Sequence, residues 1–272
     1  MISKSELQRL ANRERVALGT LEKDYVLTEV LKSLSQVPPL NELLVFKGGT
    51  ALRKTYFADW RYSEDLDFTV KHDMTEGELR SELEKWYRKV EELSGIGLTT
   101  KMLHKPNGYA RVRIQFLGPL SYPGMIFIDL SFDEPICLDP IRKKVLTTPF
   151  SPGEQKVLVY PLEELLAEKM RSLVERGKSW DYYDVWRLLK EQTSNLDLLL
   201  LVKVLKQKLG HKAIVTRSFD DFLPRDYASL KRYWEENLGR QTNPQPPLDE
   251  VLTELRSLLD QLLASHSPFP DL

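Results

Sequence analysis

The stretch VFKGGTALRKTYFADWRYSEDLDFTV, residues 45–70, decides the fold. It opens on an apolar run, Leu43–Phe46, that reads as a short strand. Gly48 and Gly49 punctuate it, Thr50 onward reads as a short helix, and Asp65–Val70 reads as a second strand. Alternate residues of a strand face the same side. Asp65 and Asp67 therefore share one face, and Leu66 and Phe68 share the other and can be buried. Two neighbouring carboxylates repel, and one pKa rises unless a cation lies between them. A hard divalent cation with oxygen ligands resolves the repulsion, and Mg²⁺ prefers one or two carboxylates together with water and phosphate oxygens. An acidic, solvated strand face is the plain alternative for two such aspartates taken alone. The glycine pair tips the balance toward a site. Glycines between a strand and a helix permit close backbone approach, and amides at a helix N-terminus favour phosphate.

A third carboxylate is expected on a neighbouring strand. IFIDLSF, residues 126–132, supplies Asp129 inside an apolar run, where an unpaired carboxylate is costly. Asp133, at the end of that run, is the competing choice, and Asp129 is preferred.

Outward from this block, residues 5–35 carry apolar residues at helical spacing with an expected break at Gly19, and Pro38-Pro39 ends them. Residues 75–94 read as a helix with early acids and a terminal glycine. Strands are expected over 97–103, 110–116 and 124–132, with Asn107-Gly108 as a hairpin turn. A further short pairing is expected over Lys144–Thr148. Beyond Pro161 the pattern is helical: 161–176, 181–191, 196–209, a stretch near 219–237, and 248–264, with NPQPP at 243–247 as a linker. The expected architecture is an α+β half, residues 1–160, followed by a helical half, residues 161–272.

The 272 residues are 42% apolar and 29% charged, which suits a folded protein with a real core. The longest purely apolar run, Leu198–Val202, is far below the ~20 residues of a membrane span. The first residues lack the apolar core of a signal peptide. The single cysteine, Cys137, excludes an intrachain disulfide and a cysteine-rich zinc site. A cytoplasmic protein of bacterial type, with no membrane association, is the expectation. The net charge of −1 provides no global attraction to nucleic acid. Local basic clusters do stand out, at Lys101–Arg113, Arg142–Lys144 and Lys203–Arg217. Solvated faces are the plain reading of each, and phosphate contact is the functional one.

The four blocks LEKDYVLTEVL (21–31), FKGGTALRKTYF (46–57), RYSEDLDFTV (61–70) and PLEELLAEKMRSLVERGKSWDYYDVWRLL (161–189) resemble the AbiEii/AbiGii-type toxin nucleotidyltransferases of bacterial abortive-infection and toxin–antitoxin systems. These toxins belong to the superfamily with a polymerase-β-like core. The resemblance implies a mixed-sheet nucleotidyltransferase core with an N-terminal helical segment and a C-terminal helical bundle that completes the site. It implies that Gly48, Gly49 and Thr50 cradle the triphosphate of an NTP, with Ser63 close to the phosphates. Asp65 and Asp67 would bind Mg²⁺, or Mn²⁺ in its place, with Asp129 as third ligand. Lys169 would reach the triphosphate, and Asp184, or Asp181 as its competitor, would complete the site. The family pattern reads Arg-Asp-x-x-Asp where this chain has Trp180 before Asp181 and Asp184; Arg176 and Lys178 are the candidates to replace the missing arginine. Independently, Lys169 lies at the edge of the apolar stripe formed by Leu162, Leu165, Leu166, Met170 and Leu173, from which a lysine can lean toward a site.

The expected reaction is nucleotidyl transfer to an acceptor hydroxyl, and the resemblance points to a tRNA 3′ end as acceptor and to a separately encoded antitoxin as partner. Tyr109, Trp180, Tyr182 and Tyr183 are the expected stacking residues for an RNA end. A metal-dependent nuclease, which would not need the glycine turn or Lys169, and a catalytically inactive binding module, against which the intact Asp65/Asp67 platform argues, are the alternatives.

Overall fold

The computed structural model describes residues 1–150 and 153–265. It divides into two compact units, one formed by Met1–Glu134 with Pro140–Tyr160, the other by Pro135–Asp139 with the chain from Pro161 onward.

The first unit is built on a seven-stranded mixed sheet. Its strands are β1 (Leu44–Lys47), β2 (Asp65–Val70), β3 (Gly97–His104), β4 (Tyr109–Leu117), β5 (Pro123–Ser131), β6 (Ile141–Lys144) and β7 (Lys156–Val159), in the order β3-β4-β5-β2-β1-β7-β6. β2 pairs with β5, and β1 with β7, in parallel; the other ladders are antiparallel. Period-2 alternation assigns the two faces. Leu66, Phe68, Ala110, Val112, Ile114, Phe116, Ile126, Ile128 and Leu130 are all buried. The helices α1 (Lys4–Glu14), α2 (Leu18–Leu34) and α5 (Glu76–Ser94) belong to this unit. Trp86 of α5 fastens the sheet to α2. Its ring meets Phe68 edge-on at 6.1 Å, and its indole N–H donates to Val30 O at 3.1 Å and Ser33 Oγ at 2.9 Å. Truncating such a buried aromatic costs about 3–5 kcal/mol. α5 starts with a capping box between Thr75 and Glu78 and ends at Gly95 in the left-handed conformation, φ 74°.

A single turn, α3 (Leu40–Leu43), precedes β1. The glycine pair opens α4 (Gly48–Ala51), which continues as a wider π-helical turn over Leu52–Tyr56.

Two local expectations are corrected. The break between the first helices falls at Arg15, which takes a left-handed cap conformation with its N–H on the Ala11 and Asn12 carbonyls. Gly19 lies instead in the first turn of α2. The pairing expected over Lys144–Thr148 is a longer-range one, between β6 and β7. β7 escaped notice because Val157, Leu158 and Val159 are all buried, so its four residues show no alternation.

The second unit contains α6 (Leu162–Glu175), α7 (Ser179–Gln192), α8 (Leu198–His211), α9 (Tyr227–Asn237) and α10 (Leu248–Ser265). Glu164 of α6, fully buried, accepts the Cys137 and Leu138 amides at 2.9 Å each and pairs with Lys208 of α8 at 2.9 Å. Lys208 also donates to Pro135 O at 2.8 Å. This clamp explains why the short segment 135–139 joins the helical unit. It also corrects the reading of Lys208 as part of a solvated basic cluster, because the side chain is 1% exposed. Two hydrogen bonds hold the Pro-rich linker to α9, with Trp234 donating to Pro246 O and Gln245 donating to Trp234 O. Among the described residues no helix is long and apolar enough to cross a membrane.

Candidate active site

The parallel register of β2 and β5 sets Asp67 opposite Asp129, with Asp65 opposite Phe127. On the outer neighbours, Lys47 of β1 stands opposite Asp67 and Arg111 of β4 opposite Asp129. A row of four charges thus crosses one sheet face: Lys47, Asp67, Asp129, Arg111. The cations at the ends are shared with other partners. Lys47 donates to Glu134 and to Ser131 Oγ at 3.3 Å. Arg111 keeps its Nε 3.7 Å from Asp129 and rests over the Phe127 ring at 4.5 Å. The Tyr109 phenol donates to Asp129. Burial, the Asp129 charge and the Tyr109–Asp129 hydrogen bond push the phenol's pKa up, so it keeps its proton. Asp65 carries the cost of the crowding. Burial first, and the Asp129 charge second, push its carboxyl up to about 6 from 3.8, against the opposing pull of Arg111 and Lys23.

The donor chemistry fits a hard divalent cation: three carboxylates on one face, one of them pushed up to about 6 by burial first and the Asp129 charge second. Among the described residues no three ligand-type side chains converge in metal-binding geometry. Asp129 is turned to Tyr109, and the Asp67 carboxylate lies against Gly48. Side-chain rotation about fixed strands is what binding would require.

The glycine turn is shaped by its neighbours. Gly48 has φ 79°, and a Cβ there would strike the Asp67 carboxylate. A Cβ on Gly49 would lie 2.5 Å from the guanidinium of Arg61, which is 3% exposed. Thr50 donates its hydroxyl to the Asp65 carbonyl at 2.5 Å and so ties the turn to β2. Ser63 lies half-buried two residues before β2. Beneath the turn, Asp24 of α2 pairs with Arg53 at 3.1 Å and Lys54 at 2.8 Å, both buried. Arg53 also stacks on the Tyr62 ring at 3.7 Å and donates to the Ala58 and Trp60 carbonyls. Burial lowers Lys54 to about 8 despite Asp24. Sequence reasoning missed Lys47, Arg61 and this Asp24 network. The apolar flanks of Asp24 in LEKDYVL offered the one available signal, a charge where helical periodicity wants a core residue.

In the helical unit, Lys169 Nζ lies 3.0 Å from both Asp181 and Asp184, and both carboxylates are fully buried. Arg176 adds a forked contact to Asp181 at 2.9 and 3.2 Å. Burial alone would raise the Asp181 carboxyl, but Lys169 and Arg176 outweigh it and hold it below the usual range. Asp181 is therefore more than a helix N-terminal acid, and Arg176 supplies a guanidinium to the motif in which Trp180 stands. Tyr182 and Tyr183 are 2% and 4% exposed, which removes them as stacking surfaces. Each cluster is a feature of its own unit.

The fold has counterparts of low sequence identity. MenT4, a nucleotidyltransferase toxin of Mycobacterium tuberculosis H37Rv, superposes with a TM-score of 0.73 at 19% identity, over 96% of this chain and 90% of that one. A crystal structure from H. pylori, assigned as a nucleotidyltransferase, gives 0.59 at 18% identity over 92% and 97%. No curated protein matches the sequence significantly. The family description "Nucleotidyl transferase AbiEii toxin, Type IV TA system" matches residues 29–260, and with that coverage the chain belongs to this nucleotidyltransferase toxin family.

Proposed function

We propose that the chain transfers a nucleotidyl group from an NTP to an acceptor hydroxyl, with release of pyrophosphate, and that Asp65, Asp67 and Asp129 would hold Mg²⁺ or Mn²⁺. The observation that carries this reading is the row of carboxylates on one sheet face beside the glycine turn, with Asp65 pushed up to about 6 by crowding and burial. Such chemistry needs positioning and charge neutralisation more than covalent help from the protein. The bound cation supplies charge stabilisation at the attacking and leaving oxygens. Gly48 and Gly49 let the triphosphate approach the backbone next to Asp67, and Ser63 adds a hydroxyl donor. Thr50 acts by fixing the turn on the Asp65 carbonyl. Tyr109 orients Asp129, which takes the acceptor proton. Lys169, oriented by Asp184 and Asp181, offsets triphosphate charge.

The proposed acceptor is the 3′ end of an RNA, in particular a tRNA. Single-stranded RNA ends are held by basic surface and stacking, and His104, Arg111 and Arg113 lie on the same face of β3–β4 as Asp129. As a toxin of a type IV system the chain is proposed to act in the cytoplasm and to be paired with a cognate antitoxin. The test is incubation with each of the four labelled NTPs, Mg²⁺ and total RNA. Label is expected in a tRNA-sized band in wild type and not in Asp67→Ala. RNA cleavage without incorporation would replace transfer by nuclease chemistry.

A further inference from the structure

Among the expected stacking residues, Tyr182 and Tyr183 are buried, and the Tyr109 phenol is committed to Asp129. The sheet face that carries the carboxylates presents an aromatic outside that set, Phe127. On β5, Met125, Phe127, Asp129 and Ser131 share one face, and Ile126, Ile128 and Leu130 are buried on the other. Phe127 itself is half-buried. The ladders set it opposite Asp65 of β2 on one side and opposite Arg113 of β4 on the other.

Two neighbouring rows thus cross this face from β2 to β3. One runs Asp67, Asp129, Arg111, His104, and the next runs Asp65, Phe127, Arg113, Met102. The first row is charge chemistry throughout. The second begins with a carboxylate and then changes character. A phenyl ring neither ligates a hard cation nor bonds a phosphate, so Phe127 answers to a different part of a substrate. Its contact shows which part. The Arg111 guanidinium rests over the ring at 4.5 Å and is also 3.7 Å from Asp129, while the Arg111 side chain stays 42% exposed. Aromatic rings and guanidinium planes are the surfaces on which the unpaired bases of single-stranded RNA stack. Farther out, Arg113 and His104 are exposed cations on the same face, and Met102 beside them is 48% exposed. That charge suits the phosphates of a strand.

We propose that Phe127, with Arg111 over its ring, is the platform on which the 3′-terminal base of the RNA acceptor stacks. The inference rests on the reading of Asp129 as the group that takes the acceptor proton. Residues two apart on a strand are separated by about 6.6 Å, a step that a nucleoside spans between its base and its ribose hydroxyl. A base held at Phe127 therefore brings its hydroxyl to Asp129, and the preceding phosphates run outward over Arg113 and His104.

The test reads binding without chemistry. The full chain, in EDTA and without NTP, is titrated by fluorescence anisotropy with a 5′-labelled single-stranded RNA that ends in a 3′-hydroxyl. The titration is repeated with the same RNA made abasic at its 3′-terminal residue. Wild type is expected to bind the intact strand about tenfold more tightly than the abasic one. Phe127→Leu is expected to bind both strands alike, at the level of wild type with the abasic strand, and Phe127→Tyr to restore the difference. In the transfer assay, Phe127→Leu is expected to raise KM for RNA about tenfold and to leave KM for the NTP unchanged. The proposal is overturned if wild type binds neither strand, if it binds both equally, or if Phe127→Leu keeps the preference for the intact strand. Nuclease chemistry in place of transfer leaves this titration unchanged, and loss of the base preference leaves NTP incorporation by wild type unchanged, so the two readings fail separately.

Discussion

The two aspartate clusters of this protein solve the same electrostatic problem in opposite ways. In the helical unit, Asp181 and Asp184 are fully buried, yet Lys169 and Arg176 are built in between and beside them, and Asp181 is held below its usual range. On the sheet, Asp65, Asp67 and Asp129 share one face, Arg111 approaches Asp129 at 3.7 Å, Lys47 bonds Glu134, and burial first and the Asp129 charge second push Asp65 up to about 6. The first cluster is complete as it stands. In the second, the raised Asp65 carboxyl is the group whose ionised form a divalent cation from solution would favour.

Breaking the complete cluster should have the largest effect on stability. Lys169→Met removes the cation that bridges two buried carboxylates, and removing one partner of a buried pair costs about 3–5 kcal/mol. Urea unfolding should show that loss, and a change below about 1 kcal/mol would mean the pair is solvated in solution. The sheet cluster should respond in function instead. Asp67→Asn is expected to lower transfer by about 10²–10³-fold while circular dichroism melting stays level or improves; a mutant that unfolds would show Asp67 to be structural. Next comes the turn. Gly48→Ala forces a left-handed backbone, at about 1–2 kcal/mol, and displaces the Asp67 carboxylate, so stability and rate should both fall. Gly49→Ala has to move Arg61 and should show a smaller loss.

The smallest effect sharpens the contrast through its sign. A carboxyl whose folded pKa is raised binds protons more tightly folded than unfolded. Its contribution therefore favours the fold at low pH and is lost as pH rises from about 4 to about 6. Asp65→Asn should remove that falling segment from the metal-free stability profile. Asp181, with a lowered pKa, contributes in the other direction: its stabilisation is present above 3.8 and is lost as pH falls through its lower folded value.

Much of the sheet was legible because its signals are local. The alternation in DLDFTV, the Asn107-Gly108 turn and the glycine after the 75–94 helix each act within a few residues. The placement of Asp129 opposite Asp67 rests on a carboxylate interrupting an apolar run, which is also a local signal. What stayed hidden depends on partners far apart in sequence. Lys208 looks like part of a basic run until Glu164 and Pro135 are seen to enclose it. Asp24 gains its meaning from Arg53 and Lys54. β7 is a strand because β1 lies beside it, and four buried residues carry no period to read.

The proposal that the sheet carboxylates hold a divalent cation is tested most directly by thermal unfolding at pH 7 during titration with Mg²⁺ or Mn²⁺, since a ligand that binds only the folded state raises the midpoint. The account predicts a rise in wild type that disappears in Asp67→Asn. An equal rise in wild type and Asp67→Asn, or none in wild type, would contradict it.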